Sequence, residues 1–328
     1  MNPFQWAEPQ TIEQASALLS KSGGKAVLMA GGTDLLSEIK EGVVKPEAVI
    51  DLKSVFGLSY IKKETDGVHI GATTPIVELI ESPAIKPNYK GLYEAAQAIA
   101  SPQLRNAGTV GGNLCQRPRC WYYRDAETVC RKKGGSQCFA AQGRNKYHAI
   151  IGGGVCFIVY PSDLAPMLIA LDAEVTITGP KGDRKLPLAT FYAPPLVNVR
   201  KENVLGPDEI LRQVRIPPAK KGDKSAYLKF KERGAWDFAL VSAAVKGNVS
   251  GRSIGDLAVV MGGVAPVPWK VEKLEKSLLG KRLTETVVAQ AAQAALEEAR
   301  PLEENAYKKD LAKVILTRAV LSLLDRPA

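Results

Sequence analysis

Five cysteines are the whole supply of thiol in this chain, and all of them fall between Cys115 and Cys156. They follow directly on a glycine-rich run, Asn106 to Leu114. Cys120, Cys130, Cys138 and Cys156 stand among Arg117, Arg119, Arg124, Arg131, Lys132, Lys133, Arg144 and Lys146. Such a basic setting suits an iron-sulfur cluster, because four deprotonated cysteines leave the cluster and its ligands net negative. Structural zinc favours short Cys-x-x-Cys pairs, which are absent here, so spacing weighs against zinc without closing that reading. Disulfides need an oxidising compartment, and nothing at the N-terminus directs export. Unrelated buried thiols would not be confined to one short stretch of chain.

Two glycine turns call for a ligand. Leu28-Met29-Ala30-Gly31-Gly32-Thr33-Asp34-Leu35-Leu36 places small residues, a hydroxyl and a helix start at the end of an apolar strand. Exposed N–H groups there form a site for a pyrophosphate. The run Asn106 to Asn113 again lets backbone approach a ligand, with Thr109 and Asn113 as polar handles. Neither matches G-x-G-x-x-G, and no G-x-x-x-x-G-K-[ST] occurs, so either run alone could be a structural turn. Two in one domain argue for one long phosphate-bearing ligand contacted twice. With only His69 and His148 available, hydrolytic triad chemistry is poorly supported, and His69 reads as structural.

The elements that must position these residues alternate between strand and helix. Phe4 to Ala7 reads as an edge strand, and Thr11 with Gln14 makes a capping box for a helix Ile12 to Ser22. Lys25 to Ala30 reads as a strand buried on both faces, followed by a helix Leu35 to Glu41 and a strand Ala48 to Leu52. A hairpin is expected at Leu58 to Glu64 and Gly67 to Ala72, with helices at Pro75 to Glu81 and Gly91 to Ala100. Beyond the cysteines come a strand Cys156 to Tyr160, a helix Pro166 to Leu171 and a strand Glu174 to Thr178. Pro187 to Val199 and Ile216-Pro217-Pro218 read as linker, which sets the main boundary near residue 220. Ala226 to Arg233, Ala239 to Gly247 and Ile254 to Met261 read as an antiparallel sheet, and Thr284 to Arg300 and Lys309 to Leu324 as amphipathic helices.

Composition bounds the rest. A chain of 328 residues has room for two domains, and 45% hydrophobic with 24% charged residues is ordinary for a soluble enzyme. No apolar run reaches the ~18 residues of a membrane span. The net charge of +10 raises nucleic acid as a partner. The cations are mixed with acids along the chain, however, and no recognition-helix or aromatic RNA-binding signature occurs, so an acidic partner subunit is the better reading.

The pair AGGTDLL and AGTVGGNL, their separation, and PSDLAP at Pro161 to Pro166 resemble the FAD-binding subunit of the molybdenum hydroxylases, over about Pro3 to Leu324. The segments QRPRCWYYRD and CFIVYPSD are most similar to the branch of bacterial aldehyde oxidoreductases whose flavin subunit holds a 4Fe-4S cluster. The resemblance implies an α+β chain. An FAD-binding domain of the PCMH, vanillyl-alcohol-oxidase-like type would span 1–220, with subdomains 1–55 and 56–220 and a cluster insertion at 115–156. A C-terminal domain of antiparallel sheet and helices would span 221–328. It implies that Cys120, Cys130, Cys138 and Cys156 are cluster ligands and that Cys115 is a packed thiol. Val27, Leu28, Met29, Ala30, Gly31, Gly32, Thr33, Asp34 and Leu35 would wrap the pyrophosphate. Thr109, Val110, Gly111, Gly112 and Asn113 would approach the flavin, Asp163 would contact the cofactor, Leu211 would pack on it, and Lys231 would lie by the isoalloxazine. The implied partners are a large molybdenum-cofactor subunit, a small 2Fe-2S subunit and an external electron acceptor, in a cytoplasmic complex that reaches the periplasm only through a partner's signal. A flavin-less, zinc-stabilised assembly module and a basic iron-sulfur nucleic-acid protein are the competing readings.

Overall fold

The computed structural model describes residues 1–234 and 236–324. Its first unit is small: strands β1 (Gln5–Ala7), β2 (Ala26–Met29) and β3 (Ala48–Asp51) with helices α1 (Ile12–Lys21) and α2 (Leu35–Lys40). The sheet runs β1-β3-β2, all parallel, as the short crossover helices require. Thr11 and Gln14 form the expected capping box. The expectation for β2 is corrected: it is an edge strand, half-buried throughout, because its free edge faces a cleft rather than a further strand.

The central unit carries β4 (Ile61–Glu64), β5 (Gly67–Gly71), α3 (Ile76–Glu81), α4 (Lys90–Gln97), α5 (Pro102–Ala107), α6 (Val110–Cys115), α7 (Trp121–Arg124), α8 (Leu164–Ala170), β6 (Glu174–Gly179), β7 (Gly182–Pro187) and β8 (Ile210–Ile216). Its antiparallel sheet has the order β4-β5-β8-β6-β7 and packs on α3, α4, α6 and α8 around Ile70, Leu92, Leu114, Leu164 and Val214. Two expectations fail here. Cys156 to Tyr160 is not a strand, since its hydrogen bonds go to loops: the Ala149 amide donates to Phe157 and the Tyr160 amide to Ala265. Pro187 to Val199 is not a linker, since Leu188 and Phe191 are fully buried in this core.

The third unit holds β9 (Asp223–Phe230), β10 (Val241–Ser250), β11 (Ser253–Gly262), β12 (Trp269–Lys270), α9 (Glu272–Leu278), α10 (Glu285–Ala295) and α11 (Tyr307–Leu321), with sheet order β12-β11-β10-β9. Alternation along the strands explains its hydrophobic density. Ala226, Val241, Ala243, Val245 and Met261 face the helices, while Tyr227, Ala244 and Val260 face the central core. The sheet is therefore a shared wall, and residues on its central side reach the cleft described next.

Candidate functional site

The first glycine turn joins the edge strand β2 to α2. Val27 through Leu35 all line a cleft of about 530 Å³. Gly32 takes φ +70°, which a side chain resists, and a Cβ at Gly31 would run into the Ala107 carbonyl at the end of α5. Two backbones can pass this closely only at glycine. Among the described residues the amides of Gly32, Thr33 and Asp34 donate to no other group of the chain, so they remain available to an anion.

The second turn opens on the same cleft through Thr109, Gly112 and Asn113. Its amides are already used. Those of Val110 and Gly111 donate to the Thr74 and Ala72 carbonyls, and that of Gly112 to Thr109 Oγ1. This turn therefore offers shape, with Asn113 fixed by a hydrogen bond from Ser162 Oγ to its Oδ1 at 2.6 Å. Val110 and Gly111 lie behind the wall, buried against the central sheet.

Asp163 stands where this cleft meets a second one, of about 580 Å³, and lines both. Its carboxylate accepts from Tyr227 Oη at 2.6 Å and from Lys229 Nζ at 2.7 Å, and the Lys229 and Asp163 side chains are only 3% and 6% exposed. Burial, with Asp163 alongside, raises the Tyr227 phenol well above its ordinary range. Tyr227 and Lys229 share a face of β9 because side chains alternate. Lys231 lies past the strand's end and lines neither cleft, its charge acting on Asp237 at their rim. Leu211 is buried on β8 opposite Ile177, away from both clefts.

Cys120, Cys130, Cys138 and Cys156 line one small space together with His148, Arg131 and Lys132. Burial pushes the Cys120 thiol up to about 11, while a thiol–thiol hydrogen bond with Cys156 draws Cys138 down. His148 Nε2 lies 3.2 Å from Cys120 Sγ, and burial depresses its imidazole to about 4. Among the described residues no three His, Cys, Asp or Glu form a set for one metal ion. Cys115 stands apart at the wall of the first cleft, its thiol pushed up to about 12 by burial alone.

The cations of this segment do not crowd the cysteines as their sequence suggested. Most are paired with carboxylates. Arg119 and Arg124 reach Asp34 Oδ1 at 2.5 and 2.6 Å, and the Arg117 amide donates to Asp34 Oδ2 at 2.7 Å. Arg117 and Lys132 both pair with buried Glu202, and Tyr123 donates to buried Glu38 on α2. Asp34 is thus the clasp that holds the cysteine segment to the first turn, and Arg117 and Arg119 end as walls of the cleft. Replacing Asp34 with Asn is expected to lower stability by roughly 1.5–3 kcal/mol, the worth of hydrogen bonds between charged groups. It should also open residues 117–133 to limited proteolysis; an unchanged cleavage pattern would show that the clasp holds nothing.

The sequence reading missed Arg117, Arg119, Lys229, Trp236 and Phe238 as cleft residues. No local signal marks them, because each arrives by a tertiary contact. His148 was likewise counted but given no role.

Residues 2–219 match the model of the FAD binding domain in molybdopterin dehydrogenase, and residues 225–323 that of the CO dehydrogenase flavoprotein C-terminal domain. The chain is 35% identical to the aldehyde oxidoreductase FAD-binding subunit PaoB of Escherichia coli K12, over 95% of this chain and 96% of that protein. It is 30% identical to the carbon monoxide dehydrogenase medium chain of Hydrogenophaga pseudoflava, over 97% and 96%. A solved chain of carbon monoxide dehydrogenase from Hydrogenophaga pseudoflava superposes with a TM-score of 0.79 at 28% identity, covering 99% of this chain and all of that one.

Proposed function

Because this chain belongs to the family of FAD-binding subunits of molybdenum hydroxylases, we propose that it is the FAD and 4Fe-4S electron-transfer subunit of a complex that oxidises aldehydes or purine-like heterocycles. In this reading the chemistry on substrate belongs to a large molybdenum-cofactor subunit, and a small 2Fe-2S subunit delivers the electrons. FAD, when bound, takes them up and passes them to an external acceptor. A 4Fe-4S cluster, when bound, moves one electron at a time. No helix among the described residues is long and apolar enough to cross a membrane.

The observation that carries the reading is one continuous set of walls. Both glycine turns, two arginines and the buried Lys229–Asp163 pair meet on one cleft, and Asp163 leads into a second that touches Cys120. The free amides of Gly32 to Asp34 would hold the pyrophosphate, with Arg117 and Arg119, paired to Glu202 and Asp34, as basic walls beside it. Lys229, fixed by Asp163 and the Ala98 carbonyl, would present a positive charge where the flavin gains negative charge on reduction. Four thiols around one space, with Arg131 beside them, suit a cluster in which each thiolate binds its own iron.

The anaerobically purified chain should carry stoichiometric FAD and about four iron and four sulfide, as such a cluster requires. Cys130→Ser or Cys138→Ser should lose the iron and Cys115→Ser should keep it. Zinc in place of iron, or a colourless protein, would favour the flavin-less assembly module instead.

A further inference from the structure

His148 sits where the cysteine space and the second cleft meet, and it lines both. It is 3% exposed, and its position is held from behind. Lys308 Nζ donates to the Tyr147 and His148 carbonyls at 2.8 and 3.1 Å, and Asn305 Nδ2 to the His148 carbonyl at 3.1 Å. The ring packs near Trp121 and Tyr122, each with its centroid 6.3 Å away. With backbone and ring so confined, Nε2 is kept 3.2 Å from Cys120 Sγ, and Cys120 is the one of the four thiols that also borders the second cleft. Nδ1 meets no partner among the described residues, so the ring's polar contact within the chain is with that sulfur.

We propose that His148 is a positioning residue for electron transfer, donating its Nε2–H to the Cys120 thiolate and so raising the reduction potential of the cluster on the side that borders the second cleft. The inference rests on the iron-sulfur reading of the cysteine segment. A thiolate bound to iron has lone pairs and no proton, so the proton of the contact must come from Nε2. Reduction adds negative charge that is shared with the ligating sulfurs, and a hydrogen bond to such a sulfur stabilises the reduced form. The same ring lines both the cysteine space and the second cleft, so the cluster is tuned on the side that borders that cleft.

Two amide variants test this, because they differ in reach and little else. In His148→Gln the amide nitrogen can take the place of Nε2, whereas in His148→Asn it stops at the place of Nδ1, short of Cys120. The full chain, loaded with iron, is titrated with reductant while the electron paramagnetic resonance of the reduced cluster is followed, and iron is measured alongside. H148Q is expected to titrate with the wild type. H148N is expected to lower the equilibrium constant for reduction about tenfold, ~59 mV for a one-electron couple. Loss of iron in H148N alone, with H148Q normal, also supports a role through the long-reach donor. Coincident midpoints in all three proteins, equal shifts in both variants, or loss of iron from both would overturn the inference and leave His148 a packing group. A wild-type chain with no iron-sulfide signal would instead remove the iron-sulfur reading itself, and this inference with it.

Discussion

Gly31→Ala should yield a folded protein that has lost its yellow colour. The added Cβ would overlap the Ala107 carbonyl and crowd Gly108 Cα, so the turn after β2 and the end of α5 must separate. Overpacking of this kind costs about 1–3 kcal/mol. If the strain is relieved by moving the turn, that cost falls on the ligand, and FAD affinity drops by roughly 5–150-fold. Both glycine turns border the same cleft, so this one methyl disturbs the two halves of the site together. Flavin content after gel filtration and a fluorescence titration of the released protein measure it. Stoichiometric retention with unchanged affinity would mean that the cofactor does not touch this turn.

The second large effect separates Lys229 on β9 from Lys231 just beyond its end. In Lys229→Met a carboxylate 4% exposed, Asp163, keeps Tyr227 as its side-chain donor but loses its counter-charge. Breaking a buried pair in this way costs roughly 3–5 kcal/mol, because the remaining charge is left uncompensated. Lys231→Met should stay within about 0.5 kcal/mol, as surface replacements do. Denaturant midpoints and FAD content read the difference. Adding Asp163→Asn to Lys229→Met should restore much of the stability while leaving flavin binding impaired, since the second change removes the orphaned charge but not the need for it. Equal behaviour of the two lysine variants would place the functional cation back at Lys231.

That choice illustrates what the sequence could and could not carry. The period of two puts Tyr227, Lys229 and Lys231 on one face, but only the point at which β9 stops decides which lysine is buried. The first turn was legible because small residues, a strand and a helix start are neighbours in the chain. The role of the arginines was not: their charges read as compensation for the cysteines, whereas Asp34 and Glu202, distant in sequence, claim them. Strand β8 escaped notice because Ile-Leu-Arg-Gln-Val-Arg-Ile breaks simple alternation, and its pairing with β6 shifts register between Thr176 and Ile177. The proximity of the four thiols is the opposite case, since confinement to one stretch of chain already brings them within reach of one another.

The bond from Asp34 to the arginines has a consequence for how the subunit matures. One carboxylate belongs to the turn that borders the first cleft, and its partners belong to the segment that bears the cysteines, so ordering either side helps to order the other. Linkage then demands symmetry: whatever factor iron loading adds to the affinity for FAD, FAD must add to the affinity for iron. If the cysteine segment takes up iron as proposed, loading in the cell becomes cooperative irrespective of which arrives first. Chains with a single cofactor would be depleted in favour of empty and complete ones, a sorting that needs no chaperone to inspect the product.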